Sequence, residues 1–206
     1  MSTVMDCPHC QPDSFALKHP LIETKHFRVV CDVHPLCEGH ILIIPRDHYS
    51  CVGELPMPLF EEFSLLYRQA HSFLSKTYGQ TCAFEHGKIG QTVFHCHVHL
   101  LPCRAKLSDI VPEGMKYIET LSSLSSLRSI FAKEGHYLFV AIDGKSYTVD
   151  TSLAVPRLFR DRFARALGNA GRGDWKAMKQ NRVLMEEGSK EMQRLKVKWG
   201  EAKAGK

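Results

Sequence analysis

Gly90-Gln91-Thr92-Val93-Phe94-His95-Cys96-His97-Val98-His99-Leu100-Leu101-Pro102 sets three histidines in strict alternation between a glycine and a proline, the punctuation of a strand-like run. Side chains of a strand point alternately to opposite faces. The spacing therefore predicts Gln91, His95, His97 and His99 on one face and Phe94, Cys96, Val98 and Leu100 on the other, the first for chemistry and the second for core. Neighbouring imidazoles on such a face stand roughly 6.5–7 Å apart, two residue rises, so each can do a separate job. Burying three titratable rings without function is costly, because unpaired polar groups in a core are destabilising. Two chemical readings compete: a three-histidine zinc site, or a nucleophilic imidazole flanked by phosphate contacts. Histidine suits both, since much of it is neutral at pH 7.

Working outward, Glu85-His86-Gly87-Lys88-Ile89-Gly90 reads as a glycine-bearing loop that feeds the histidine run, after a strand at Thr81-Cys82-Ala83-Phe84. Before it, Leu59, Phe63, Leu66, Tyr67, Ala70, Phe73 and Leu74 recur at helical spacing between Pro58 and Gly79, the start and stop signals of a core-facing helix. His26–Val33 alternates as a strand, and His40-Ile41-Leu42-Ile43-Ile44-Pro45 is an apolar run ended by proline that fits a buried strand. Arg46-Asp47-His48-Tyr49 follows at its exit, where functional residues tend to sit. Near the start, Cys7-Pro8-His9-Cys10 is a C-x-x-C with no second copy. It is ambiguous between a redox dithiol and half of a zinc site, whose other ligands would have to be isolated residues such as histidines.

Length and composition bound the answer. A chain of 206 residues can bury a sizeable core and fits one domain or a domain with an extension. No run of eighteen apolar residues and no secretory signal is seen, so a cytoplasmic protein is expected. In that setting the eight cysteines are for metal or for burial rather than for disulfides. The formal charge of +5 is split unevenly, −3 over residues 1–103 and +8 over 104–206. A basic half suggests an anionic ligand or partner, although Lys and Arg on helices are often only a solvated face.

With these parts assembled, the chain resembles the histidine triad (HIT) superfamily of nucleotide hydrolases and transferases. The resemblance rests on His95-x-His97-x-His99-Leu100-Leu101, the preceding Gly90-Gln91-Thr92-Val93, the segment Gly39-His40-Ile41-Leu42-Ile43-Ile44-Pro45-Arg46-Asp47-His48, and Asp32. It implies an α+β fold with an antiparallel sheet and packed helices, a possible homodimer, and chemistry at the α-phosphate of a nucleotide. By position, His97 is implied as the nucleophile that forms a covalent nucleotidyl-histidine and His99 as a phosphate contact. Asp32 matches a ribose-binding residue, Gln91 and Thr92 lie where further substrate contacts are supplied, and His40 matches another histidine near the site. The zinc-containing branch implies Cys7, Cys10, His48 and His95 as ligands, and two thiolates with two imidazoles are the donors of a closed structural site. That division argues against a three-histidine zinc, which would leave the C-x-x-C unexplained.

The resemblance covers residues 1–103, read as the HIT domain, and leaves 104–206 as an α/β elaboration packed on its core. Ile118, Leu121, Leu124, Leu127, Ile130 and Phe131 predict a helix. A hairpin is predicted around Asp143-Gly144, then a helix from Arg157 to Leu167, a glycine-rich loop over 169–174, and a final charged helix from Asn181 to Trp199. Arg157 and Arg160, near the start of their helix, are candidates to hold distal phosphates. The same arginines could equally form a solvated or salt-bridged surface, and the favoured substrate is a dinucleoside polyphosphate. The rivals are a nucleic-acid-processing protein that removes a 5′-linked adenylate and a nucleotide-binding module with little turnover. No cysteine follows Cys103 to build the zinc finger of the DNA-repair branch, and the intact His97 argues against a mere binding module.

Overall fold

A computed structural model describes residues 4–204. The first half contributes β1 (Pro20–Glu23), β2 (Phe27–Cys31), β3 (Ile41–Pro45), the long helix α1 (Met57–Tyr78), β4 (Thr81–Glu85) and β5 (Val98–Pro102). The second adds α2 (Leu107–Ile110), β6 (Ile118–Thr120), α3 (Ser126–Glu134), β7 (Leu138–Ile142), β8 (Lys145–Val149), α4 (Leu158–Ala166), α5 (Trp175–Gln180) and α6 (Arg182–Ala204). All eight strands join one sheet in the order β1-β2-β3-β5-β4-β7-β8-β6, and every pairing is antiparallel. The fold is α+β, as the sequence predicts.

The central strands are buried on both faces, which is why they read as continuous apolar runs. Alternation divides them cleanly. Ala83, Val98, Leu100, Phe139 and Ala141 face a core shared with Phe63, Ala70 and Leu74 of α1 and Leu195 and Trp199 of α6. Cys82, Phe84, Leu101, Leu138, Val140 and Ile142 face a second core closed by Phe159 and Phe163 of α4. The sheet is a middle layer between helices, and β7 extends it directly from β4 through Ala83↔Ala141 and Phe84↔Val140. The hairpin turn is as expected, with φ of 53° at Asp143 and 72° at Gly144, the paired left-handed conformations of a type I′ connection.

Two expectations need correction. The histidine run is a strand only from Val98 onward, and residues 91–97 are bends and irregular chain. The pairing shows it: β3 meets β5 only from Ile43↔Val98 and β4 only from Phe84↔His99, while Ile44 and Pro45 pair with β2 alone and the Cys96 N–H turns aside to the Tyr49 carbonyl. Phe94, expected in the core, is accordingly 68% exposed. The helix predicted over 118–131 forms only from Ser126, because Ile118, Glu119 and Thr120 instead pair with Val149, Thr148 and Tyr147 on the open edge of the hairpin. Strand pairing there outcompetes a helical pattern diluted by serines, which are mediocre helix formers.

Candidate functional site

The three histidines serve three different directions because the chain turns just before β5. His95 is fully buried, and its Nε2 lies 2.9 Å from the carbonyl oxygen of Pro45. That carbonyl can only accept, so Nε2 carries the proton and Nδ1 keeps a lone pair. His97 is the reverse. Its Nδ1 lies 2.6 Å from the carbonyl oxygen of its neighbour His95, so Nδ1 carries the proton and Nε2 is left as the basic, nucleophilic atom. Burial lowers the pKa of His97, which keeps that lone pair free at neutral pH.

His99 is set by a relay. The backbone N–H of Leu36 donates to His40 Nδ1 at 3.1 Å, so the proton of His40 is on Nε2. This nitrogen donates to His99 Nδ1 at 2.9 Å, which leaves the proton of His99 on Nε2. Burial holds His40 down to about 4 and lowers His99 strongly, so both rings are neutral. The His99 ring is stacked on Phe84 at 4.2 Å, and its Nε2 is buried without a partner. The His97 and His99 ring centroids are 5.0 Å apart. One imidazole thus offers a lone pair and its neighbour an N–H, the pair needed to attack a phosphorus and hold one of its oxygens.

Behind this pair, the donor atoms of Cys7, Cys10, His48 and His95 all lie within 4.8 Å of one another. His95 Nδ1 is 3.4 Å from both Cys7 Sγ and Cys10 Sγ, and His48 Nδ1 is 3.3 Å from Cys10 Sγ. A tetrahedral ion with bonds of about 2.3 Å to sulfur and about 2.0 Å to nitrogen separates such atoms by about 3.5 Å. The lone pair of His95 therefore points into a donor set of the right size and chemistry for one metal ion. Asp32, His40 and His99 also lie close together. There, however, the nitrogen lone pairs are engaged by the Leu36 N–H and by the His40–His99 hydrogen bond, the signature of a relay rather than a cation site.

A cavity of about 330 Å³ opens on His97 and His99. Asp32 forms part of its lining and is tied to the second half of the chain: Arg160 Nη1 donates to Asp32 Oδ2 at 2.8 Å, and the His34 N–H donates to Oδ1 at 2.9 Å. Burial opposes the charge of Asp32, yet Arg160 holds its carboxyl down to about 2. Thr92 lines the cavity, whereas Gln91 is buried beside it and donates to the Ser50 carbonyl at 2.7 Å. Arg160 reaches the site, but most of its donors are spent on Asp32, on the carbonyls of His34 and Arg172, and on that of Gly173. Arg157 does not border the cavity and sits 3.4 Å from Asp174 and 3.7 Å from Asp161. The start of α4 is also occupied, since the Phe159 N–H donates to His86 Nε2.

Among the cavity residues that sequence reading missed are His9, Phe15, His34, Trp175 and Lys179. His9 had a signal, being one of the two residues between the candidate ligands Cys7 and Cys10. Its buried ring lies edge-on to His97 at 5.1 Å and His95 at 5.5 Å. Trp175 had none, because only the tertiary fold brings α5 to the mouth of the site.

Sheet, relay and opposed imidazoles define a histidine-centred α+β protein. Residues 16–106 match the family model described as HIT domain. Over 93 residues it is 36% identical to the adenosine 5′-monophosphoramidase HNT1 of Saccharomyces cerevisiae, a match covering 44% of this chain and 58% of that protein. Over 110 residues it is 30% identical to the adenylylsulfatase HINT3 of Arabidopsis thaliana, covering 47% and 52% respectively. The chain thus spans little more than half the length of these relatives. A solved HIT family hydrolase from Clostridium thermocellum aligns over 51% of this chain and 99% of its own, with 25% identity and a TM-score of 0.42.

Proposed function

We propose that this chain is a nucleotide hydrolase or nucleotidyltransferase that acts at the α-phosphate through His97, with residues 1–103 carrying the chemistry. The observation that carries the reading is the opposed pair of tautomers: a neutral His97 with its lone pair on Nε2, next to a His99 whose N–H has no partner. His97 Nε2 attacks the α-phosphorus and the bond to the leaving group breaks, its electron pair going with the leaving group. Water then attacks the same phosphorus, releasing the nucleotide and restoring the imidazole. The His99 Nε2–H binds a phosphoryl oxygen throughout, and the His40–Leu36 relay keeps that proton in place.

The relatives are named for adenosine 5′-phosphoramidate and adenylyl sulfate chemistry, and small adenylates of these kinds are the first substrates to test here. A dinucleoside polyphosphate ranks below them, since Arg157 is paired with carboxylates away from the cavity and Arg160 is largely engaged by Asp32 and backbone carbonyls. Zinc suits the set of Cys7, Cys10, His48 and His95, and its part is structural: it joins the N-terminal segment to the loop that carries His97. The test is hydrolysis of adenosine 5′-phosphoramidate and adenylyl sulfate by the full chain. Turnover by the wild type and none by His97→Ala is expected, and near-normal turnover by that variant refutes the assignment.

A further inference from the structure

The outer wall of the cavity is aromatic and comes from three separate segments. Phe15 stands in a short 3-10 turn ahead of β1, His34 in the turn after β2, and Trp175 at the first position of α5. His34 stands in ring contact with both of the others, with centroids 6.1 Å apart from Phe15 to His34 and 5.7 Å from His34 to Trp175. All three line the cavity that holds His97. Phe15 is 44% exposed, and His34 Nε2 is buried without a partner. A large apolar ring left at the water and an unpaired imidazole nitrogen in one wall are both satisfied by a flat, heteroatom-bearing ligand.

The wall is held rigidly, and the arginines of α4 do the holding. The indole N–H of Trp175 donates to Thr92 Oγ1 at 3.0 Å, which fixes the ring against the loop leading to His97. Asp174 caps α5 by accepting from the Lys176 and Ala177 N–H groups and is paired with Arg157. Arg160 spans both sides, donating to the His34 carbonyl at 2.7 Å and to the Gly173 carbonyl at 3.3 Å. Lys179, one turn beyond Trp175, lines the same cavity and adds a positive charge suited to an anionic ligand.

We propose that the C-terminal half completes the binding cavity, and that Trp175 is a specificity-determining residue against which a flat heteroaromatic ring of the ligand stacks. The inference rests on the nucleotide reading of the site. Such a ring has two sources, the base of the transferred nucleotide or an aromatic leaving group. They are separated by comparing wild type, Trp175→Leu and Trp175→Phe in two measurements. The first is calorimetric binding of AMP and of ribose 5-phosphate, which has the same phosphate and sugar but no base. The second is kcat/KM for adenosine 5′-phosphoramidate against its N-phenyl derivative.

Base–aromatic stacking predicts that Trp175→Leu weakens AMP by roughly 5- to 150-fold while ribose 5-phosphate binds as before. If the leaving group occupies the wall, AMP is unaffected and the N-phenyl substrate loses that factor relative to the simple one. In either case Trp175→Phe, which keeps a ring, recovers most of the loss. The proposal is overturned if Trp175→Leu weakens AMP and ribose 5-phosphate equally, or if it moves neither the AMP preference nor the ratio of the two substrates. Selective loss of AMP binding in a protein that hydrolyses no phosphoramidate would refute the hydrolase reading and leave the aromatic wall standing.

Discussion

Replacing Arg160 with Met tests how the two halves of the chain are joined. Arg160 is 6% exposed and Asp32 4%, and their 2.8 Å contact is the charged link between the turn after β2 and α4. The carboxyl of Asp32 falls from an ordinary 3.8 to about 2, and each pKa unit corresponds to about 1.4 kcal/mol, so ionised Asp32 contributes about 2 kcal/mol. The folded pKa is depressed, so this contribution is full above the unfolded value near 3.8 and is lost as pH falls through 2. Arg160→Met leaves the carboxylate buried and unpaired and strips a donor from the His34 carbonyl, for which a loss of about 3–5 kcal/mol is expected at pH 7. In the variant the sign reverses. Burial alone raises the folded pKa of Asp32, so its stability recovers as pH falls from 7 to 4, where the wild-type pair is still intact. Urea unfolding at pH 7 and pH 4 should therefore show a deficit that shrinks with acid, and Arg160→Met combined with Asp32→Asn should regain part of it at pH 7. A deficit below about 1 kcal/mol, or one that does not change between the two pH values, would refute the reasoning.

His97→Ala should abolish turnover with the fold intact by circular dichroism, and acid-labile phosphorus label from an α-labelled substrate should be trapped on the wild type alone. About one zinc per chain is expected by metal analysis, absent from the Cys7→Ser, Cys10→Ser double variant. Chelation should lower the melting temperature, and a melting curve unmoved by chelator would count against a structural ion. Glu85, fully buried and bonded by the Tyr137 hydroxyl and the Val52 N–H, is pushed by burial up to about 7 from an ordinary 4.5. A raised carboxyl pKa means that stability falls as pH climbs from 4.5 to 7, by about 3 kcal/mol, and is flat above. Glu85→Gln should lack that slope in unfolding measured across the range, and an unchanged slope would place the titration elsewhere.

Much of the HIT region was legible because its signals are local. The apolar run of β3, the amphipathic α1 and the Asp143-Gly144 turn follow from residue type and spacing within a few positions, and the structure has all three. The histidine alternation singled out residues that the fold does place together, His97 and His99 on the cavity and His95 beside the two thiols, although its spacing argument holds only in part. Its strand period holds only from Val98, and the rings diverge because residues 91–97 leave the sheet, Cys96 bonding to the Tyr49 carbonyl rather than to β3. Likewise the 118–131 segment carries a helical pattern that an available sheet edge overrides at its N-terminal end.

The sequence by itself determined the chemistry available: which imidazoles, thiols and carboxylates exist, and which sit at the spacing of a histidine triad. Only the tertiary structure decided their states. Whether a histidine offers a lone pair or a proton depends on the atom its other nitrogen meets, and for His95, His97 and His99 these are Pro45, His95 and His40. The same holds for the second half of the chain. Trp175 has no local signal that separates it from a solvated helix face, and the signal that singled out Arg160 said nothing of Asp32 as its partner. Arg160 and Trp175 reach Asp32 and Thr92, 128 and 83 residues away, because α4 closes one face of the sheet and α5 follows it to the mouth of the cavity.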